Sequence, residues 1–332
     1  MIISRSKILS FSLLFGLSIA LSSCISIKNY QAEMLFPASM SMPYEGNTIG
    51  FVSRIELLSD LPTYTLNTRT IDSLLNNEIM VGASEVVAYG PKFTFLDINL
   101  NQSGKLSSRN ISSSRVFDYL DVLMPDSMDI LCYLETLQME YKLLKDTLLN
   151  IPEELRGSIL SSSRWRIFDL QNHQFQHYSF TDTMTIVSNV MYSENIENPY
   201  HPDFQNSFIR AANEHGKSFG QIISPFWSDV DRVYYDSYLI FRGARKFIHN
   251  GNWKEAEEIW NKYTLSSDDF IASCACFNMA VAAEMAGEIE KAILWLDKSE
   301  DEGLSEMVEQ YRKILLHRES MIQYLDSQLG EI

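Results

Sequence analysis

Cysteine is scarce in this chain, with four residues in 332, too few and too irregularly placed to read as a disulfide framework. Cys274 and Cys276 lie two apart in a predicted helix, so their side chains diverge. No histidine or second cysteine pair stands near them, and with Cys132 they read as buried small hydrophobes. Histidine is equally rare. His173 and His177 are four apart in a predicted strand, about 13 Å along one face, too far to share a metal. Positive charge is in deficit: 27 Lys and Arg face 43 Asp and Glu, for a net charge of −16. Such a surface repels phosphate backbones and anionic headgroups, which excludes a nucleic-acid-binding protein. The N-terminal apolar run, Ile8 to Leu21, falls short of the roughly 20 residues a spanning helix requires.

The signatures of common chemistry are missing too. There is no Walker loop, dinucleotide fingerprint, His-Glu-x-x-His or Gly-x-Ser-x-Gly. Asp118, Asp121, Asp126 and Asp129 cluster, but without the glycine and closing glutamate of a calcium loop they read as a solvated face. No serine has a spaced His and Asp that would single it out as a nucleophile. The sequence therefore assigns no catalytic residue, no metal ligand and no cofactor.

What remains is an address and an architecture. The apolar fraction, 45%, and the charged fraction, 21%, are those of a globular protein. A basic start (Arg5, Lys7), an apolar stretch and small residues form a secretory signal over residues 1–23. The tetrapeptide Leu21-Ser22-Ser23-Cys24 resembles the lipobox of bacterial lipoproteins. That resemblance implies cleavage before Cys24, diacylation of its sulfur and acylation of the new amino terminus. Two or more acyl chains hold a protein firmly on a bilayer. Loss of the signal leaves 309 residues, about two domains, and a net charge of about −18.

Residues 24–47, with Pro37 and Pro43, read as a tether. An apolar, β-branched run from Ile49 to Ile55 predicts a strand. Helical spacing of Ile71, Leu74, Leu75, Ile79, Val86 and Val87 predicts a helix over 70–89, stopped by Gly90-Pro91. Strands are predicted at 92–100, 129–141, 164–170, 175–180 and 183–192, with a loop over 103–114. This predicts an α+β domain over 48–197 with a mostly antiparallel sheet and one or two helices. From Asp203 onward no strand is predicted, and residues 198–332 read as all-helical, beginning with a helix that Pro225 ends.

Within that half the chain repeats itself. Gly251-Asn-Trp-Lys-Glu-Ala256 recurs as Gly287-Glu-Ile-Glu-Lys-Ala292, at an offset of 36. A helix precedes each copy and an apolar helix follows. The pattern resembles the tetratricopeptide repeat, a helix-turn-helix unit of about 34 residues. Ala244 and Ala280 match its small residues in the first helix, Ala256 and Ala292 its alanine in the second, and Trp260 and Leu296 its large apolar residue. Tyr263 stands where that family has a small residue, and the closing proline is absent from both units. The units span about 236–263 and 272–300. Because about three are needed for a stable array, the helix before Pro225, the segment 229–247 and a long capping helix from Leu304 to Leu329 are expected to complete it.

Together these features resemble Bacteroidetes outer-membrane lipoproteins with a tetratricopeptide-like C-terminal half. The sheet domain, with its Phe36-Pro37-Ala38 lead, is similar to periplasmic domains of outer-membrane assembly lipoproteins. In Bacteroidetes, surface display goes with acidic residues after the lipidated cysteine. Here Ile25-Ser26-Ile27-Lys28 follow, which implies the periplasmic face. The expected function is non-catalytic: binding or scaffolding of an envelope protein through the helical domain, with Trp253, Trp260 and Trp295 as partner-binding residues and core packing as their bland alternative. The other class is an envelope hydrolase or glycan-binding protein with its site in the sheet domain.

Overall fold

The computed structural model describes residues 26–42, 46–53, 68–98, 117–118, 120–121, 124, 126–144, 155–188, 202–236, 239–299 and 304–330. Cys24, the signal segment, the predicted 103–114 loop and most of the predicted domain boundary lie outside them. The fold is α+β, with a sheet-rich region followed by a helical one. It divides into two compact units: residues 35–227 with 325–332, here the sheet unit, and residues up to 34 with 228–324, the helical unit.

The sheet unit is built on five strands in the order β3-β2-β4-β5-β6: β2 (Thr48–Ser53), β3 (Thr94–Phe95), β4 (Ile130–Leu144), β5 (Leu155–Asp169) and β6 (Gln174–Ser188). The three 15-residue strands β4, β5 and β6 form an antiparallel meander, while β2 runs parallel to both β3 and β4. The sheet is thus antiparallel along most of its paired length and parallel at one edge, because β2 and β4 are joined through a crossover that carries a helix. Strand β5 starts nine residues earlier than predicted. Its serines 161 and 163 are buried, and packing overrides their weak strand preference. The two strands predicted at 175–180 and 183–192 are one, since polar Thr181-Asp182-Thr183 continues the ladder opposite β5.

Helices α1 (Thr68–Tyr89) and α2 (Pro202–Ile223) lie where helical periodicity put them. Both belong to the sheet unit, although α2 was expected to join the helical domain. Their apolar sides share one core with the sheet, including Leu75, Ile79, Phe208, Phe219, Ile130 and Trp165. Trp165 stacks on Phe219 with ring centroids 3.9 Å apart. The opposite sheet face buries Val52, Leu131 and Phe168 against Phe117, Leu120 and Met124. Burial on both faces explains the unbroken apolar run at the start of β4.

Asp129 ties the start of β2 to the start of β4. Its Oδ2 accepts from the Asn47 N–H (2.8 Å), the Thr48 N–H (3.0 Å) and the Thr48 hydroxyl (2.9 Å), and its Oδ1 accepts from Gln171 (3.2 Å). Burial pushes this carboxyl up, but the hydrogen bonds from Asn47, Thr48 and Gln171 together outweigh it and hold it below the usual range. A depressed folded pKa stabilises the fold above the unfolded value, about 3.9, and the contribution is lost as pH falls through the folded value. Asp129→Asn is therefore expected to flatten the acid limb of a stability profile below about pH 4 relative to wild type. Urea unfolding across that range checks it, and an unchanged acid limb would contradict the assignment.

The helical unit contains α3 (Arg245–His249), α4 (Trp253–Trp260), α5 (Asp269–Met285), α6 (Ile289–Asp297) and most of α7 (Ser305–Leu329). The internal repeat is realised as two helical hairpins with the same turn. Gly251 and Gly287 have φ of 72° and 79°, a region that costs a residue with a Cβ. Asn252 N–H donates to Phe247 O and Glu288 N–H to Ala283 O, each 2.8–2.9 Å long and 36 residues apart. Ala256 and Ala292 are fully buried where the hairpins close, as are Trp260 and Leu296 one helical turn on.

Two strands stand where none was expected. β1 (Ile27–Phe36) occupies the predicted tether, and β7 (Phe226–Tyr235) occupies part of the predicted helical segment 229–247. They pair with each other in a two-stranded sheet. β7 alternates exposed Asp229 and Asp231 with an inward Arg232, so its period-2 pattern is masked by a buried charge. Helix α5 is buried on every side from Ser273 to Glu284. Its Asn278 holds the end of β7 along one edge, accepting from Tyr235 N–H at 2.7 Å and donating to Tyr235 O at 2.8 Å.

Candidate functional site

The three tryptophans singled out by sequence do not form one surface. Trp260 is fully buried beside Tyr234; it is a core residue. Trp253 is half-buried, edge-on to Tyr30 at 4.9 Å. Trp295 is half-buried under the Lys298 ammonium, 4.2 Å from its ring centre.

A cleft does form in the sheet unit, and glycine sets it up. Cβ atoms built on Gly82 and Gly216 would lie 2.0 Å from Asn213 O and 2.1 Å from Ile79 O. Without them, α1 and α2 approach until backbone meets backbone. Both helices then stop, at Gly90-Pro91 and at Ser224-Pro225, and the chain leaves α2 through Phe226 and Trp227. Between the two last turns opens a cleft of about 270 Å³ lined by Glu85, Val86, Tyr89, Gln221, Phe226 and Trp227. Phe226 is anchored by stacking on Phe36, with centroids 5.6 Å apart. Tyr89 and Trp227 are held at the rim, 65% and 41% exposed. Glu85 is the one charged residue of the lining among the described residues, and neither helix carries a basic residue in its last turn. The sequence held Tyr89 and Trp227 in plain view as aromatics beside helix stops, but nothing in it joined them.

A second cluster lies under α2. The His215 ring bonds through Nδ1 to Asp182 Oδ1 at 2.6 Å and through Nε2 to the Ser163 hydroxyl at 2.8 Å. Ser163 Oγ also accepts from Trp165 Nε1 at 2.9 Å. The order Ser-His-Asp is that of a serine hydrolase relay, a constellation the sequence reading missed because its members sit on β5, α2 and β6. Ser163 is only 4% exposed and His215 stacks on Phe180. A nucleophile must meet its substrate, so this chain serves to lock α2 to the sheet. His215→Leu is expected to cost about 1–3 kcal/mol by taking the imidazole partner from the buried Ser163 hydroxyl. Chemical denaturation reads that, and a neutral variant would remove the locking role.

Among the described residues no group of three or more His, Cys, Asp or Glu is placed to hold a metal ion. Among them, too, no helix is long and apolar enough to cross a membrane.

Residues 242–322 match the family model described as Domain of unknown function (DUF6340), a span within the helical unit. No curated protein matches the chain. Solved structures similar to it include the hypothetical protein CT253 from Chlamydia trachomatis, at 16% identity over 54% of this chain and 94% of that one, TM-score 0.27. A PelC dodecamer from Paraburkholderia phytofirmans shares 9% identity over 59% of this chain and 99% of its own, TM-score 0.23. The rare lipoprotein B from Shewanella oneidensis shares 12% over 34% and 87%, TM-score 0.20. TM-scores this low carry no argument for a shared fold.

Proposed function

We propose that this protein is a non-catalytic lipoprotein of the outer membrane, anchored through Cys24 and facing the periplasm, that works by binding. The lipobox-like Leu21-Ser22-Ser23-Cys24 and the basic rather than acidic residue at Lys28 support the address. The observation that carries the binding reading is the cleft, where the aromatic rings of Tyr89 and Trp227 stay in solvent. Rigid aromatics at the mouth of a concavity are where binding energy concentrates.

The tetratricopeptide-like hairpins act in this reading as a scaffold. Supporting this, the buried residues of α5 from Ser273 to Glu284 are taken up by the chain's own packing, including β7. A second reading keeps a protein partner on the helical unit's outer surface, where half-buried Trp295 neighbours Leu294, 62% exposed.

A photocrosslinking amino acid placed in cells at Gln221 or at Leu294 separates the two, with adducts of any mass read by intact mass spectrometry. An adduct at Gln221 that Trp227→Ala abolishes is the expected result. Adducts at Leu294 alone would move binding to the helical unit. None at either position, from protein that labels with palmitate unless Cys24 is changed to alanine, would overturn binding altogether.

A further inference from the structure

Resting on the cleft reading above, we infer that the ligand group it takes is a cation, an ammonium or guanidinium. Among the described residues every source of charge at the cleft has the same sign: the Glu85 carboxylate is the single charged side chain of the described lining, which holds no Lys, Arg or His. Residues from the last turns of α1 (Glu85, Val86, Tyr89) and α2 (Gln221) form the walls. A helix C-terminus carries a partial negative charge of about half a unit, normally offset by basic residues in the last turn. Neither helix has one, and the Ser39 and Met40 N–H groups that donate to Gln221 O at 3.3 Å and Ile222 O at 2.9 Å offset only part of the charge at the end of α2. The next basic residue after α1, Lys92, is not part of the lining, and its ammonium lies 5.3 Å from the Phe93 ring centre.

The aromatic rim has the same polarity. The face of an indole or phenol ring is the negative end of its quadrupole, and Trp and Tyr are the strongest cation acceptors of this kind. Trp227 and Tyr89 line the cleft together with Glu85, and the Gln221 amide oxygen can accept an N–H. An anion would meet repulsion from the Glu85 carboxylate and from the helix ends. A purely apolar group would strip water from Glu85 and Gln221 without replacing it. The chain as a whole, at −16, draws cations toward the site.

The shared chemistry has two sources, a small free amine or a Lys or Arg side chain of a protein. Full-length chain carrying 5-fluorotryptophan, in a polyoxyethylene detergent, gives one ¹⁹F resonance for each of its five tryptophans. Trp227→Phe identifies the resonance to follow. Choline, N-acetyl-lysine methylamide and N-acetyl-arginine methylamide are titrated against 3,3-dimethylbutanol, which has choline's shape without its charge, and against chitotriose.

The expected result is a saturable shift with the cations, little with dimethylbutanol, and binding weakened about five- to tenfold by Glu85→Gln, a surface change that leaves packing alone. Stronger binding of choline would point to a free amine; stronger binding of the lysine or arginine derivative would point to a protein side chain. Shifts as large with dimethylbutanol or chitotriose would overturn the cation and leave the cleft as a binding site. No shift with any probe would overturn both.

Discussion

Glu284→Gln is expected to lower the unfolding free energy by about 3–5 kcal/mol, the cost of breaking a buried ion pair from one side. The Glu284 side chain has no solvent exposure. Arg232 grips it with two hydrogen bonds, Nε to Oε2 at 2.8 Å and Nη2 to Oε1 at 2.7 Å. The Tyr311 hydroxyl donates to Oε2 at 2.5 Å. Burial first, and then the negative charge beside it, hold that phenol well above its usual range, so it remains a donor. The site thus joins β7, α5 and α7 through one carboxylate. Glutamine keeps the shape but removes the charge, leaving the Arg232 guanidinium buried without a counterion. Replacing the set, Arg232→Met with Glu284→Leu and Tyr311→Phe, removes the three hydrogen-bonded polar groups at once and is expected to recover most of the loss. Equilibrium urea unfolding of the single and triple variants checks both statements. A single variant within about 1 kcal/mol of wild type would show that the pair contributes little.

The same residues explain why part of the fold was legible in the sequence and part was not. Helices α1 and α2 advertise themselves through apolar spacing and proline stops, and the hairpins through the glycines at an offset of 36. Strand β7 is hidden because its inward position carries Arg232, whose neutralising partner lies 52 residues away. β1 reads as a polar tether unless Tyr30, Ala32 and Met34 are seen as the alternate, more buried positions of a strand. Trp260 could have been placed correctly. Its counterpart in the repeat is Leu296, and a position filled by Trp in one unit and Leu in the next is an apolar core position. Trp295 aligns with Ile259, and both are half-buried. The cleft was out of reach for another reason: Tyr89 and Trp227 are brought together by a helix crossing whose closeness depends on residues with no side chain to notice. The Ser163, His215 and Asp182 cluster is likewise assembled from three elements by packing, with no spacing signature in the chain.

That crossing carries the other large effect. Gly216→Ala is expected to destabilise the protein by about 3 kcal/mol, the upper end of the ordinary cost of overpacking. The added methyl would meet Ile79 O at 2.1 Å and Ala83 N at 3.0 Å. These are backbone atoms of a helix, so no rotamer change relieves the contact, and α1 and α2 must move apart. Separation loosens the packing of Ile79, Ala83, Phe219 and Trp165, all fully buried in the shared core. For a chain of 332 residues the melting temperature should fall by roughly 4 °C. Gly82→Ala, whose methyl would meet Asn213 O at 2.0 Å, should behave alike. The double variant should cost less than the two together, because one separation of the helices accommodates both methyls. Glu214→Ala, an exposed change on the same helix, should stay within about 0.5 kcal/mol. The cleft supplies an independent readout: its walls include the last turns of these helices, so any Gly216→Ala protein that remains folded should hold the proposed cation, probed with choline, more weakly. Thermal unfolding by circular dichroism and the Trp227 fluorine resonance measure the two consequences separately. An alanine at 216 that left both unchanged would mean that the helices are not held at backbone contact, and the cleft would lose its physical origin with them.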